Sequence, residues 1–337
     1  LRVSTMNNEP YDIGITSAPF APALKQDYPD DIEATTRVLD GNSLISIGDR
    51  RFQEENYYYA DPNFLTFFDF KLLHGDPATA LRHLHSVVLT RETARRYFGD
   101  EANAMGKTLR IDNNYDAIVT GILEDFKTPT HFNFDIIEST LELEQASWWD
   151  GWWNNNLVTY VRLHPAASAV ALEARLPQFM DKYFGEDFAR NNNRINLRLQ
   201  SLHDIYFETG TRYDPVRHGN WQAIRIFSFA ALLLIIIACA NYINLSTARA
   251  AERSKEIGVY KVLGAGRGSI VRQMLGESLV LVLFSVIGAT ALVKVSMPWF
   301  TDIFGVTLQL QLPLWLNIVI LGGLTLAVAL AAGLYPG

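Results

Sequence analysis

Three apolar runs fill the last third of the chain, at about 224–245, 276–296 and 315–335, and they restrict its fold more than any other feature of the sequence. A helix needs about 20 mostly apolar residues to cross a hydrocarbon core of roughly 30 Å. The runs contain AALLLIIIACA, SLVLVLFSVIGATALV and NIVILGGLTLAVALAAGLYP, and their small residues suit close helix packing in lipid. Three such runs placed so close together argue against a buried core helix and for a multi-pass membrane module.

Charge divides the chain near Trp221. Residues 1–221 hold 21 Lys+Arg against 32 Asp+Glu, net −11, and residues 222–337 hold 8 against 4, net +4, which together give the −7 of the whole chain. The expected organisation is an acidic soluble domain over 1–221 joined to a basic membrane domain over 222–337. Between the first two runs lie Arg249, Arg253, Lys255, Lys261, Arg267 and Arg272, whereas the second connection offers only Lys294 and Asp302. Basic residues collect on the cytoplasmic side. The loop 246–272 is therefore expected in the cytoplasm and residues 1–221 outside it.

A large external domain needs a signal peptide or an earlier span for export. Leu1-Arg2-Val3 begins with neither, and the sequence stops at Tyr335-Pro336-Gly337, so a fragment lacking a preceding span is expected. The lone Cys239 excludes an internal disulfide and a cysteine metal site.

Residues 1–221 read as mixed α/β. Alternation over Ser86 to Thr90 and over Tyr115 to Leu123 predicts half-buried strands. Between them, Thr90 to Gly99 has a Thr N-cap, Thr93 where a capping box would place Glu or Gln, and a Gly stop, which predicts a short helix. A second helix is predicted over Ala167 to Phe184, with Val170, Leu172, Leu176, Phe179, Met180 and Tyr183 at helical spacing. Asn191-Asn192-Asn193 and Asp61-Pro62-Asn63 mark loops. Tyr57, Tyr58, Tyr59, Phe64, Phe67, Phe68 and Phe70 are assigned to core. Trp148, Trp149, Trp152 and Trp153 leave three readings open: a ligand-stacking platform, a membrane-surface anchor, or ordinary packing.

No catalytic chemistry stands out. Gly106-Lys107-Thr108 resembles the tail of a phosphate loop, but Glu101 occupies the position where that loop needs its first Gly, so a turn leading into a strand at Thr108 is the better reading. His83 and His85 would share one strand face, with His131 as a third candidate metal ligand, yet no Cys or ordered acidic pattern supports them. No GxSxG nucleophile turn is present. No catalytic, cofactor-binding or metal residue is therefore assigned, and no nucleic-acid partner is expected.

The segment Asn241 to Gly266, NYINLSTARAAERSKEIGVYKVLGAG, is charge-dense and should be helical over 246–263, with Ser246 or Thr247 as cap and Gly264 as terminator. It serves either as a solvated loop that sets topology or as a rigid lever offered to a partner.

The longer string INLSTARAAERSKEIGVYKVLGAGRGSIVRQMLGES resembles the signature after the second span of FtsX-like and MacB-like permeases, the type VII ABC transporter superfamily. Tyr59 to Phe64, Leu72 to Asp76, Val88 to Thr90, Ala94 to Gly99, Gly106-Lys107 and Val119 to Leu123 are similar, in order, to that family's periplasmic core domain, and Ala332 to Pro336 fits the end of its last span in a half. The nearest likeness is to the duplicated permeases of Bacteroidetes. The resemblance implies an α+β extracytoplasmic domain followed by an all-α transmembrane module of three helices. It further implies the first half of a multi-pass permease embedded in the lipid of the bacterial inner membrane, with 1–221 periplasmic.

In such proteins ATP is bound by a separate or fused ABC ATPase subunit, so no cofactor is expected in this chain. The cytoplasmic segment couples that subunit to movement of the external domain, a behaviour called mechanotransmission. The implied contact residues are Glu252, Arg253, Lys255, Glu256, Ile257, Gly258, Lys261, Leu263, Gly264 and Ala265. Tyr260 stands where the family often has Arg. Other implied partners are a second permease half or a second copy, and a periplasmic adaptor or outer-membrane factor. The implied function is export or extraction of a peptide, lipoprotein or hydrophobic substrate. The rival reading is a transmembrane signalling or regulatory protein that controls a periplasmic enzyme or sensor and moves no substrate.

Overall fold

The computed structural model describes residues 1–6, 9–124, 130–191, 194–208, 219–264, 266–304, 315–316, 319–320 and 322–323. The chain divides into two units, Leu1–Asn220 and Trp221–Gly337.

The first unit holds two sheets. A small antiparallel sheet has β1 (Arg2–Met6) between β2 (Glu9–Ile13) and β11 (Ile195–Arg198). A larger mixed sheet contains β3 (Ile32–Ile47), β4 (Arg50–Ala60), β5 (Leu72–His74), β6 (Ser86–Leu89), β7 (Thr108–Ile111), β8 (Tyr115–Leu123), β9 (Ile136–Ser139) and β10 (Val158–Leu163). Its order is β10-β3-β4-β9-β6-β8-β5, with β7 alongside β3 and β8. The β4/β9 and β6/β8 pairs are parallel and the others antiparallel.

Strand β8 alternates as its sequence predicts: Ala117 and Val119 are buried while Asp116 and Ile118 are exposed. Strand β6 departs from the half-buried expectation, since Ser86, Val87, Val88 and Leu89 are all buried. Val87 and Leu89 pack into one core cluster and Val88 into another on the opposite face. A strand covered on both faces has no solvent side to encode by alternation.

Helices α1 (Phe20–Asp27), α4 (Ala169–Glu173) and α5 (Leu176–Asn191) accompany the small sheet, where Phe20, Leu24, Leu172, Leu176, Phe179 and Phe184 form its core. The helix expected over Ala167 to Phe184 is thus two helices. Pro177 lacks the N–H that would bond back one turn, so α4 stops and α5 starts with the proline in its first turn. Val170, assigned to the apolar face, is 81% exposed on short α4. Asn191 closes α5, while Asn192 and Asn193 lie outside the described residues. Helix α2 (Phe64–Phe67) opens an aromatic cluster in which Phe64 meets Phe68 and Phe132 at ring separations of 5.2 Å. Tyr58 and Phe64 are buried there with Phe67, Phe68 and Phe70 half-buried against them, whereas Tyr57 is buried in the other core of the large sheet with Tyr59 half-buried against it.

Helix α3 (Arg91–Phe98) follows its sequence closely. The Thr90 hydroxyl accepts from the Thr93 N–H at 3.3 Å, and Gly99 ends the helix at φ 80°, a left-handed conformation glycine adopts without a side-chain clash. Thr90→Ala should lower the stability of this unit by about 1 kcal/mol, read as a shifted urea midpoint with unchanged slope. Short helix α6 (Leu202–Ile205) follows β11.

The second unit is helical where described. Helix α7 runs unbroken over Trp221–Val262, 42 residues, and α8 over Arg267–Phe304, 38 residues with Pro298 inside it. Their apolar portions, Trp221–Asn241 and Leu279–Phe300, are long and apolar enough to cross a membrane, and neither window is buried within the protein. Among the described residues two spans are therefore seen. The third expected run, 315–335, falls mostly outside the described residues; 315–316, 319–320 and 322–323 are helical.

Candidate functional site

The segment 246–272, expected to be helical over 246–263, continues α7 directly from the apolar portion through Val262, turns at Leu263 and Gly264, and enters α8 at Arg267. No proline occurs between Trp221 and Val262, and the glycine within it, Gly258, costs only about 1 kcal/mol in a helix. Ser246 and Thr247 are interior residues of that helix and not caps, because the preceding residues already supply helical carbonyls. At about 1.5 Å per residue α7 is roughly 63 Å long, twice the hydrocarbon thickness. An apolar half continues directly into a charged half.

Glu252, Arg253, Lys255, Glu256, Ile257, Gly258 and Lys261 all lie on α7. Leu263 and Gly264 form the turn beyond it, with the Leu263 N–H donating to the Val259 carbonyl at 3.0 Å and Gly264 at φ 91°. Ala265 lies outside the described residues. Helical spacing places positions 252, 256, 259 and 263 along one stripe. Val259, Val262 and Leu263 are exposed by 58%, 89% and 77%, so the charged end also presents apolar side chains.

The first unit separates the histidines that sequence grouped. His83 and His85 lie in the turn before β6 and not on a strand, and His85 has φ 58°. His131 sits among Phe68, Phe132 and Tyr160, with Nε2 at 3.0 Å from the Tyr160 hydroxyl, and burial pushes its pKa down to about 4. Among the described residues no group of three or more His, Cys, Asp or Glu is arranged to hold a metal ion. At Gly106-Lys107-Thr108 the Gly106 N–H donates to the Val119 carbonyl and the Lys107 N–H to the Ala104 carbonyl, which leaves neither amide for a phosphate. Thr108 begins β7, as the turn reading expects.

The tryptophans divide. Trp149 is buried beneath the Arg37 guanidinium, 4.6 Å from its ring centre, and Trp152 packs on Phe20, Tyr183 and Phe184. Trp153 is 45% exposed and donates to Asp187. Packing accounts for the first two.

Sequence reading missed two buried polar clusters. Asp61 accepts from the Arg37 backbone N–H, Nε and Nη2, each at 2.9 Å, and from the Thr140 hydroxyl at 2.9 Å. Glu138, fully buried on β9, accepts from the Tyr57 and Tyr115 hydroxyls, the latter at 2.9 Å. Burial raises its pKa to about 7 against the lowering effect of those two donors. A single acid in the apolar run Ile136-Ile137-Glu138-Ser139 was the available signal. A cavity of about 280 Å³ also opens in this unit, walled by Phe67, Phe68, Val158, Tyr160, Leu163 and Ile205.

Two family profiles match the chain: the MacB-like periplasmic core domain over residues 2–179 and the FtsX-like permease C-terminal over residues 228–337. A macrolide export ATP-binding/permease protein MacB of Burkholderia lata is 23% identical over 290 residues, covering 83% of this chain. The chain spans 37% of that relative's length. Among solved structures, a domain of a protein described as a permease from Porphyromonas gingivalis is 25% identical, with TM-score 0.49, covering 57% of this chain and 85% of the other. The periplasmic region of MacB from Actinobacillus actinomycetemcomitans is 18% identical, with TM-score 0.42 and coverage of 59% and 86%. The first profile alone takes in more than half of the residues, the second takes in both described membrane helices from residue 228 onward, and the chain belongs to the MacB-like and FtsX-like family of ABC transporter permeases.

Proposed function

We propose that this chain couples ATP hydrolysis by a partner ABC ATPase subunit to movement of its extracytoplasmic unit, for export or extraction of a peptide, lipoprotein or hydrophobic substrate. The observation that carries the reading is the continuity of α7. A flexible loop would absorb a push at its tip, whereas a helix interior without proline passes it along its axis.

In this reading Glu252, Arg253, Lys255, Glu256, Ile257, Gly258, Lys261, Leu263, Gly264 and Ala265 meet the ATPase in the cytoplasm. The charged positions set partner orientation, and exposed Val259 and Leu263 supply the apolar contact that a protein partner would cover. Nucleotide shifts the permease only as far as the ATPase touches its states differently. The assembly contains a second permease half or a second copy, and the extracytoplasmic unit meets an adaptor or outer-membrane factor across the bacterial inner membrane.

The test uses the complete permease co-purified with its ATPase. Arg253→Glu combined with Lys255→Glu, and separately Ala251→Pro, should each lower stimulated ATP hydrolysis and transport about ten-fold or more, with the protease resistance of residues 1–220 unchanged. Proline breaks the helix whereas charge reversal alters only its surface. Wild-type coupling in the charge-reversed protein would reject the contact, and wild-type coupling in Ala251→Pro would reject the lever.

A further inference from the structure

The turn at 82–85 delivers the chain into β6 with His85 at φ 58°, an uncommon conformation for a residue carrying a Cβ. Two contacts hold it there. Its ring stacks on Tyr115 at 4.3 Å, and its carbonyl accepts the Ile118 N–H at 2.8 Å.

Nδ1 of the fixed ring is buried with no hydrogen bond, and so is Oε1 of Glu138. These two atoms face one another at 3.8 Å, and Glu142 Oε2 lies 3.5 Å from the same Nδ1. Two carboxylates on and after β9 thus converge on one imidazole nitrogen from the turn before β6. The remaining titratable groups that act on Glu138 are Tyr57 and Tyr59 of β4, Tyr115 of β8, and Asp112 between β7 and β8. All of these are neutral or acidic at neutral pH. His85 is the one basic group in the cluster so described.

We propose that His85, Glu138 and Glu142 form a proton-operated clasp, which fastens the 82–85 turn to the segment following β9 when the extracytoplasmic side turns acidic. With both ring nitrogens protonated, Nδ1–H donates to the Glu142 carboxylate and to Oε1 of Glu138, which accepts whether or not that carboxyl holds a proton, and the 3.5 and 3.8 Å separations can close to hydrogen bonds. With one proton on the ring the positive charge is gone, and Nδ1 offers the carboxylates at best an uncharged N–H. That weaker hold loosens the turn. The proton comes from solvent and returns to it, so no other reactant is needed. Burial of Glu138, whose pKa stands at about 7, adds proton uptake by the same cluster over the same fall in pH. The turn carries exposed Leu84 and holds the N–H of exposed Ile118, so the state of the clasp sets how firmly these apolar side chains are presented.

Hydrogen–deuterium exchange on the full chain in lipid nanodiscs tests the clasp, at about pH 5.5 and about pH 7.5 with intrinsic exchange corrected. The informative amides are Ser86, which donates to the His83 carbonyl, and Ile118, which donates to the His85 carbonyl. Their exchange should be about ten-fold slower at the lower pH, while the α3 amides change far less. His85→Gln should abolish the difference. Glu142→Gln, at a half-buried position where misfolding is not a concern, should reduce it several-fold. An unchanged pH difference in His85→Gln, an absent one in the native chain, or one that disappears on adding a chelator would overturn the proposal.

Discussion

Asp61→Ala is expected to destabilise the extracytoplasmic unit by about 3–5 kcal/mol. The carboxylate and the Arg37 guanidinium are 10% and 12% exposed, and they meet side by side through Nε and Nη2. Without Asp61 the cation keeps the Ala18 carbonyl at 3.1 Å, the face of Trp149, and Glu144 at 3.5 Å, which is 39% exposed and screened. Thr140 loses its acceptor as well. A buried charge stripped of its partner costs far more than the pair contributes. By contrast, Arg190 and Glu186, exposed by 72% and 89%, form an ion pair whose removal should be nearly silent. Urea unfolding followed by tryptophan fluorescence checks the claim, because Trp149 lies on Arg37. A loss below about 1 kcal/mol for Asp61→Ala would mean that Glu144 swings in to replace it.

Glu138→Gln should act in the opposite direction and remove a pH dependence. Burial raises the Glu138 pKa from 4.5 to about 7, so the folded unit holds this proton more tightly than the unfolded chain does. Stability from the group is therefore fully present below about pH 4.5, falls as pH rises toward 7, and stays low above that. At about 1.4 kcal/mol per pH unit the span is on the order of 3 kcal/mol. A glutamine oxygen still accepts from Tyr57 and Tyr115, and its NH₂ can donate to Nδ1 of His85. The substituted protein should match the native one near pH 4.5 and exceed it by about 2–3 kcal/mol near pH 8. Parallel stability–pH curves for the two proteins would refute the assignment of that proton to Glu138.

Local grammar was legible in the sequence wherever one element decided its own form. Thr90 and Gly99 bracket α3 because a hydroxyl acceptor and a left-handed glycine serve the ends of any helix. Strand β8 alternates because one of its faces meets solvent along much of its length. The same rule failed for β6, which core covers on both sides. It also failed at α4 and α5, where spacing overrode the signal of Pro177. The charged segment and its helix over 246–263 are legible in charge, composition and likeness, but the unbroken junction that makes Ser246 and Thr247 interior residues is not. Polarity marks a boundary between lipid and water, and a helix need not stop there.

By itself the sequence determined that this chain carries membrane spans, that its acidic and basic parts are separate, and where the charged segment after the first span lies. These depend on composition and on interactions between residues close together in the chain. Only the tertiary structure decided that Asp61 faces Arg37, that Glu138 is sealed among Tyr57 and Tyr115, and that His85 leans on them while His131 joins another cluster. Those pairings join residues 23 to 81 positions apart along the chain. Strand order brings them together, and no local preference encodes which buried charge will meet which partner.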